Sequence, residues 1–168
     1  MAQTMLKSGQ KTAAQTARIC VYIKDGLVDA VGDGLLPDIA DLNITGVASA
    51  RHITVYSLQG TLTQAKLRRI GAELLADPIS QEFSIGDPPA ELTRGAWVVH
   101  VKYNPGVTDP AAESAQKGIA DIGVSGVAGV TTSRIYLLRG RVSRSGVDAI
   151  ARRLLANPVI QTYTIEKK

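Results

Sequence analysis

Residues that commonly carry out chemistry are scattered in this sequence. The two histidines, His52 and His100, have no cysteine or histidine at metal-ligand spacing from them, so neither belongs to a metal-binding motif. Asp25, Asp29 and Asp33 recur every four residues, whereas a calcium loop needs carboxylates at alternate positions and a distal glutamate. These aspartates are better explained as helix-capping and solvated residues. The sequence therefore predicts no catalytic residue, no metal site and no cofactor.

The segment from residue 104 to residue 110, NPGVTDP, is the best candidate for a binding function. Pro105 and Gly106 form a turn, and Asp109 and Pro110 suit the N-cap and the first position of a helix. Free backbone N–H groups at such a helix start can hold an anion or a partner's carboxylate. The alternative is that the segment is only a tight connection between a strand and a helix.

Composition limits the classes of partner. The chain has 19 Lys and Arg against 15 Asp and Glu, a formal net charge of +4, and only one Phe and five Tyr. Because few aromatic residues can stack on bases, we expect no nucleic-acid partner. No uncharged run approaches the roughly 18 to 20 residues of a membrane span, so we expect no membrane partner. The single Cys20 lies in an apolar stretch, as a core residue does in a reducing compartment, and we expect a cytoplasmic protein.

The elements that must position these residues occur twice. With a shift of 80 residues, residues 19–86 align with residues 99–166 without a gap, and roughly a quarter of the pairs are identical. We divide the chain into a disordered leader (1–17), a first repeat (18–86), a linker (87–96) and a second repeat (97–168). One repeat buries too little surface to be stable alone, so the two should pack on each other.

Each repeat begins with a strand and an amphipathic helix. Residues 19–24 and 97–103 are rich in β-branched and aromatic residues, which predicts the strands. Gly32, Gly34 and Pro37 interrupt the first helix, which we expect to begin late or to kink. Apolar residues recur at helical spacing in both repeats. They are Val31, Leu35, Ile39 and Leu42 in the first repeat and Ala111, Ala115, Ile119 and Ile122 in the second.

The rest of each repeat completes a six-element pattern. About a dozen residues of strand character follow the first helix, too many for an average strand, so we expect hairpins turning near residues 51–52 and 132–133. A second helix then ends before Pro78 or Pro158, and a last strand follows. The order β-α-β-β-α-β in two copies predicts an α+β protein made of two tandem ferredoxin-like repeats, packed as a pseudo-twofold pair.

The end of the second helix carries the most similar stretch of the two repeats. Residues 154–163, LLANPVIQTY, repeat residues 74–83, LLADPISQEF. Leu154 and Leu155 should lie in the core. The residues from Pro158 onward should start the closing strand, which we expect to join the two repeats.

The order of residues in these segments resembles the PurS component of phosphoribosylformylglycinamidine synthase. The resemblance covers residues 18–166, and it is strongest in residues 105–110, 119–123 and 154–163. The first repeat departs from the second at three of these positions, so equal interface roles are not expected. The pairs that differ are Asp25 and Pro105, Ala30 and Pro110, and Ser80 and Ile160.

The resemblance implies a role in purine biosynthesis without catalytic residues in this chain. In that family a glutaminase makes ammonia, and a synthetase uses it with ATP to convert formylglycinamide ribonucleotide to the amidine. PurS-like units act as a dimer that bridges the two enzymes and supports ammonia transfer. The implied partners are a PurL-type synthetase and a PurQ-type glutaminase, and self-association is compatible with the resemblance. The chain would be either free-standing or the N-terminal region of a fused synthetase.

The residues that the resemblance and the turn chemistry offer as partner contacts lie in two segments. They are Asn104, Pro105, Gly106, Thr108, Asp109, Pro110, Asn157, Pro158, Gln161 and Tyr163.

A second hypothesis comes from a different class of protein. Tandem amino-acid sensors of the ACT type share the β-α-β-β-α-β order and a Pro-Gly turn after the first strand, and they bind amino acids between paired domains. Residues 104–110 fit that class too, but residues 154–163 are left unexplained by it. An RNA-binding ferredoxin-like fold is a third reading, disfavoured by the small number of aromatic residues.

Overall fold

A computed structural model of the protein describes residues 15–168. The predicted leader lies largely outside these residues. Its last three positions, 15–17, belong instead to the first strand, β1 (Gln15–Ile23). This strand is extended at its start because residues 15–18 pair antiparallel with residues 57–60, so the strand begins earlier than predicted.

The remaining elements alternate between strands and helices. The first half continues with α1 (Ala30–Asp41), β2 (Val47–Gly60), α2 (Gln64–Ile70) and β3 (Gln81–Ile85). After a short helix, α3 (Ala90–Thr93), the second half contains β4 (Trp97–Tyr103), α4 (Pro110–Asp121), β5 (Val127–Gly140), α5 (Arg144–Ile150) and β6 (Gln161–Lys167). The helices α1, α2, α4 and α5 recur with the 80-residue shift.

The two predicted hairpins are wrong, because each of these segments forms one strand of 14 residues. The strands β2 and β5 pair antiparallel with each other from Val47 opposite Gly140 to Gly60 opposite Val127. This long ladder satisfies the backbone groups that a hairpin would otherwise have paired locally. Residues 51–52 and 132–133, where turns were expected, lie in the middle of that ladder and contain no turn-forming Gly, Pro or Asn.

The six strands form one sheet in the order β3-β1-β2-β5-β4-β6. The two halves therefore meet at β2 and β5. The closing strands β3 and β6, one of which was expected to join the repeats, lie instead at the two outer edges. They pair only with β1 and β4, respectively.

The first helix is not shortened by its glycines and proline. Asp29 caps α1 through a hydrogen bond from the N–H of Gly32, and α1 has the same length as α4, 12 residues. A Cβ at Gly32 would lie 2.4 Å from the carbonyl oxygen of Ala50, so this glycine allows the helix to pack closely on β2. The predicted apolar stripe is shifted at its start, since Val31 is 50% exposed and Gly32 is buried.

The helices of each half pack partly on the other half. Ile39 of α1 belongs to a hydrophobic cluster with Val147 and Ile150 of α5. Ile119 of α4 belongs to a second cluster with residues of α2. Both clusters lie on one face of the sheet, so the core depends on helices exchanged between the halves, as the small size of each half required.

Each second helix ends in a π-helical turn. Residues 71–75 follow α2, and residues 151–155 follow α5. The N–H of Ala156 donates to the carbonyl oxygen of Ala151 at 2.9 Å, five residues back. Leu155 is buried and Leu154 packs against the same core, which confirms the core role predicted for both leucines.

The other face of the sheet has its own cluster, covered by the connector between the halves. Cys20, Tyr22, Ile53 and Leu137 are buried there together with Leu92 of α3. The predicted linker is therefore a packed element, although it was expected to be only a polar connector. The predicted α+β class, with helices beside an antiparallel sheet, is confirmed and is consistent with ferredoxin-like folds.

Candidate functional site

The turn after β4 lies against the turn before β6. The N–H of Asn104 donates to the carbonyl oxygen of Ile160 at 2.9 Å. Pro105 and Gly106 are exposed, and Gly106 has φ +83°, with no atom within 4 Å of where a Cβ would stand. The sequence-predicted residues of the 104–106 segment are therefore brought beside those that follow Asn157.

Asp109 ties the start of α4 to β5. One carboxylate oxygen accepts the N–H of Ala112 at 3.0 Å, and the other accepts the N–H of Thr132 at 2.7 Å. The hydroxyl of Thr132 donates to both oxygens at 3.0 Å. Pro110 occupies the first turn of the helix, as predicted, and Thr108 is exposed. Because the carboxylate is fully engaged, Asp109 shapes this turn and offers little to an incoming ligand.

Asn157 and Gln161 hold the second turn closed. The side-chain oxygen of Gln161 accepts the N–H of Asn157 at 2.9 Å, and the side-chain oxygen of Asn157 accepts the N–H of Val159 at 3.0 Å. Pro158 is exposed at the tip. The equivalent turn uses Asp77, whose pKa is lowered by the backbone N–H groups of Ser80 and residue 79.

Tyr163 lies apart from this pair of turns. Its hydroxyl donates to the carboxylate of Asp148 on α5 at 2.8 Å, and that hydrogen bond raises the pKa of Tyr163. The ring packs against the core under α5. Tyr163 therefore fastens β6 to the helix layer, and it does not join the predicted contact residues at the turns.

The most exposed apolar side chains were missed by the sequence analysis. Val159 is 81% exposed, and Ile79, its equivalent in the first half, is 83% exposed. Each follows the proline of its turn directly and precedes an edge strand, β6 or β3. The available signal was an apolar residue at the tip of a turn, a position normally filled by polar residues. Exposed apolar residues at matched tips are candidate contacts for other proteins.

A second concave region adjoins the turn after β4. A cavity of about 720 Å³ lies between residues 104–109 and the sheet face opposite helices α1, α2, α4 and α5. Its polar side chains include Arg18 of β1, His100 and Lys102 of β4, and Ser133 of β5. None of these was among the predicted site residues. They converge only because β1, β2, β5 and β4 are neighbours in one sheet.

The charges around this cavity are partly paired. Arg18 forms an ion pair with Asp87 at 2.9 Å. A ring nitrogen of His100 is hydrogen-bonded to the hydroxyl of Ser133 at 2.8 Å. Burial, together with the positive charges of Lys102 and Arg18, lowers the pKa of His100 to about 4. The imidazole is therefore neutral at neutral pH.

Metal-binding clusters and membrane-spanning helices are both absent from the part of the chain that the structure describes. Between residues 15 and 168, no group of three or more His, Cys, Asp or Glu side chains is placed to hold a metal ion. In the same range, no helix has the length and apolar character needed to cross a membrane.

The fold and the site together define a class of protein. It is an α+β protein with one antiparallel sheet, a helix layer exchanged between two halves, and paired turns at each outer edge. Residues 96–168 match the family model PurS, described as phosphoribosylformylglycinamidine (FGAM) synthase, so the second half of the chain is PurS-like. No curated protein matches this chain at a significant level.

Proposed function

We propose that this protein is a non-catalytic, PurS-type component of phosphoribosylformylglycinamidine synthase in purine biosynthesis. The match of residues 96–168 to the PurS family carries the proposal. The protein would bridge a synthetase of the PurL type and a glutaminase of the PurQ type and support ammonia transfer between them. The same role places it in the cytoplasm. The turns at the sheet edges are the proposed contact points.

We further propose that the first half is a second PurS-like unit. Two observations support this: helices α1 and α4 recur with the 80-residue shift, and the strand order reads the same from either edge when equivalent strands are exchanged. The one chain would then supply the dimer that PurS units form in that family. Its two units would be related by a pseudo-twofold axis between β2 and β5.

The positions of the exposed tips suit a bridging protein. Ile79 precedes β3 and Val159 precedes β6, and these two strands are the opposite edges of the sheet. The tips also differ chemically, since Ser80 follows Ile79 whereas Ile160 follows Val159. Two unlike ends are what a protein needs to hold two different partners at once, and we assign one partner to each tip.

Co-purification tests the proposal directly. The full chain is mixed with a PurL-type synthetase and a PurQ-type glutaminase in the presence of ADP and glutamine, and the complex is isolated by gel filtration. We expect all three proteins in one peak. Failure of the chain to associate with either enzyme would refute the proposal.

Variants of the two tips sharpen this experiment. Val159→Asp and Ile79→Asp should each abolish binding of a different partner, because a charge at an apolar contact must be desolvated without a partner. Ala65→Asp is the matched control, since it adds the same charge at an exposed position in the first turn of α2. Loss of both partners in both tip variants would contradict the assignment of one partner to each end.

The amino-acid sensor hypothesis is not favoured by any observation. An amino-acid ligand needs acceptors for its ammonium group, and Asp109, which lines the cavity beside the Pro-Gly turn, already accepts from Ala112 and Thr132. The cationic side chains beside that turn suit an anion better.

A further inference from the structure

The sheet face opposite helices α1, α2, α4 and α5 differs sharply between the two halves. With the 80-residue shift, Arg18, His100 and Lys102 of the cavity correspond to Val98, Cys20 and Tyr22. Those three equivalents pack in the apolar cluster beneath the connector, with Leu92 of α3 over them. Within residues 15–168, one half of this face is thus closed and apolar, while the other half is an open cavity whose lining includes two cations, Arg18 and Lys102.

The hydroxyl-bearing residues of the cavity show the same difference. Thr16, Ser57 and Ser133 line it, and their equivalents in the closed half are Ala96, Leu137 and Ile53. Six positions therefore change from apolar to polar or charged between equivalent surfaces. Stability alone favours the apolar set, since the burial of apolar side chains is the main favourable contribution to folding. The polar set points to a ligand.

We propose that this cavity binds a sugar phosphate, with Arg18 and Lys102 holding the phosphate group. A tetrahedral phosphate has three free oxygens and accepts hydrogen bonds from several directions, which suits a guanidinium, an ammonium and hydroxyl groups on three strands. A carboxylate has only two oxygens and would leave donors unused. The proposal does not depend on the proposed function.

The size and lining of the cavity indicate the rest of the ligand. A volume of about 720 Å³ is within the usual range for small-molecule sites and exceeds what a phosphate ion alone would fill. Tyr103 and Val107 add apolar surface on the side of the turn after β4. This surface suits the carbon skeleton of a sugar, so we place the sugar beside residues 103–107.

The acidic groups near the cavity do not oppose this assignment equally. Asp109 lines the cavity, but its charge is satisfied by N–H and hydroxyl donors of Ala112 and Thr132. Asp87 pairs with Arg18 at 2.9 Å and is 75% exposed, so it competes with a phosphate for the guanidinium. Removing the charge of Asp87 should therefore strengthen binding.

Isothermal titration of the full chain tests the proposal with three probes: ribose 5-phosphate, orthophosphate and ribose. We expect saturable binding of ribose 5-phosphate, weaker binding of orthophosphate and none of ribose. If ribose 5-phosphate shows no saturable binding at concentrations up to about 10 mM, the proposal is overturned, because a built site for this ligand should have a smaller dissociation constant. Orthophosphate that binds as tightly as ribose 5-phosphate would overturn the placement of a sugar.

Variants locate the site. Lys102→Gln and Arg18→Gln should each weaken ribose 5-phosphate binding at least about tenfold, because a charge-assisted hydrogen bond to phosphate is lost. Asp87→Asn should tighten it. Arg153→Gln, which removes an exposed charge on the helix side, is the control and should change nothing. Lys102 is exposed, so its variant should fold normally, and unchanged affinity in Lys102→Gln would refute the proposed site.

Discussion

Thr54 and Arg134 are direct partners in the ladder between β2 and β5. They are also 80 residues apart, so each aligns with the other under the 80-residue shift. The pairs on either side of Thr54 and Arg134 are related in the same way. Tyr56 pairs with Thr132, and the residues that align with these two under the 80-residue shift, Tyr136 and His52, also pair with each other. The Thr54–Arg134 pair therefore marks the centre about which the two halves are arranged.

The identity of this central pair gives a first prediction. In the native chain only one of the two positions is charged. Thr54→Arg would place two arginines opposite each other, and like charges directly opposite in a sheet are destabilising, here by about 0.5 to 1 kcal/mol. Thr54→Gln is the control for side-chain bulk. Urea unfolding at low and high salt should show that salt recovers part of the loss in Thr54→Arg only; equal losses in both variants would argue against this register.

Glycines at the two ends of the same ladder give a second prediction. A Cβ at Gly140 would lie 2.0 Å from the carbonyl oxygen of Gly46, and a Cβ at Gly60 would lie 2.0 Å from that of Gly126. Gly140→Ala should therefore lower the free energy of unfolding by about 2 to 4 kcal/mol, since the backbone must move.

Gly106→Ala is the matched control for Gly140→Ala. Gly106 also has a positive φ, +83°, but its Cβ would meet nothing within 4 Å. We expect a loss of only about 1 to 2 kcal/mol from backbone strain. Thermal or urea unfolding of both variants separates the two causes, and similar losses would show that the close contact of β2 and β5 is unimportant.

Local signals in the sequence predicted much of the fold. Asp109 followed by Pro110 predicted the start of α4, and the predicted strand 97–103 has the same bounds as β4. Thr63 and Ser143 cap α2 and α5, and Thr and Ser are among the residues that favour the N-cap position. These features depend on residues within a few positions of one another, which is why the sequence alone was sufficient.

Non-local pairing explains what the sequence did not predict. The length of β2 suggested a hairpin only because average strands are short. Its actual partner, β5, begins at Val127, far along the chain from Gly60 at the end of β2, and no local pattern identifies such a distant partner. The same holds for the cavity, since Arg18, His100 and Ser133 belong to three different strands and share no sequence motif.

The carboxylate of Asp109 gives a third prediction. It caps α4 and also receives two donors from Thr132 of β5. Asp109→Ala should lower the free energy of unfolding by about 2 kcal/mol, because a helix N-cap is lost and the partly buried N–H of Thr132 loses its acceptor. Thr108→Ala, one residue away and exposed, should have almost no effect. Urea unfolding measures both; a neutral Asp109→Ala would favour a direct binding role for this residue.

His100 gives a prediction about pH. Burial and the charges of Lys102 and Arg18 lower its pKa from 6.5 to about 4. Between those values the unfolded chain binds a proton at His100 and the folded protein does not, so the free energy of unfolding falls as the pH is lowered through this range. In His100→Gln that contribution is absent, and the loss of stability between about pH 7 and pH 4.5, measured by urea unfolding, should be smaller. The carboxylates and His52 titrate in both proteins and cancel in the comparison.

Ser133→Ala, which removes the hydrogen-bond partner of the ring but keeps His100, should retain the pH dependence. If His100→Gln loses as much stability as the unaltered protein, the neutral histidine is not the source of the acid sensitivity.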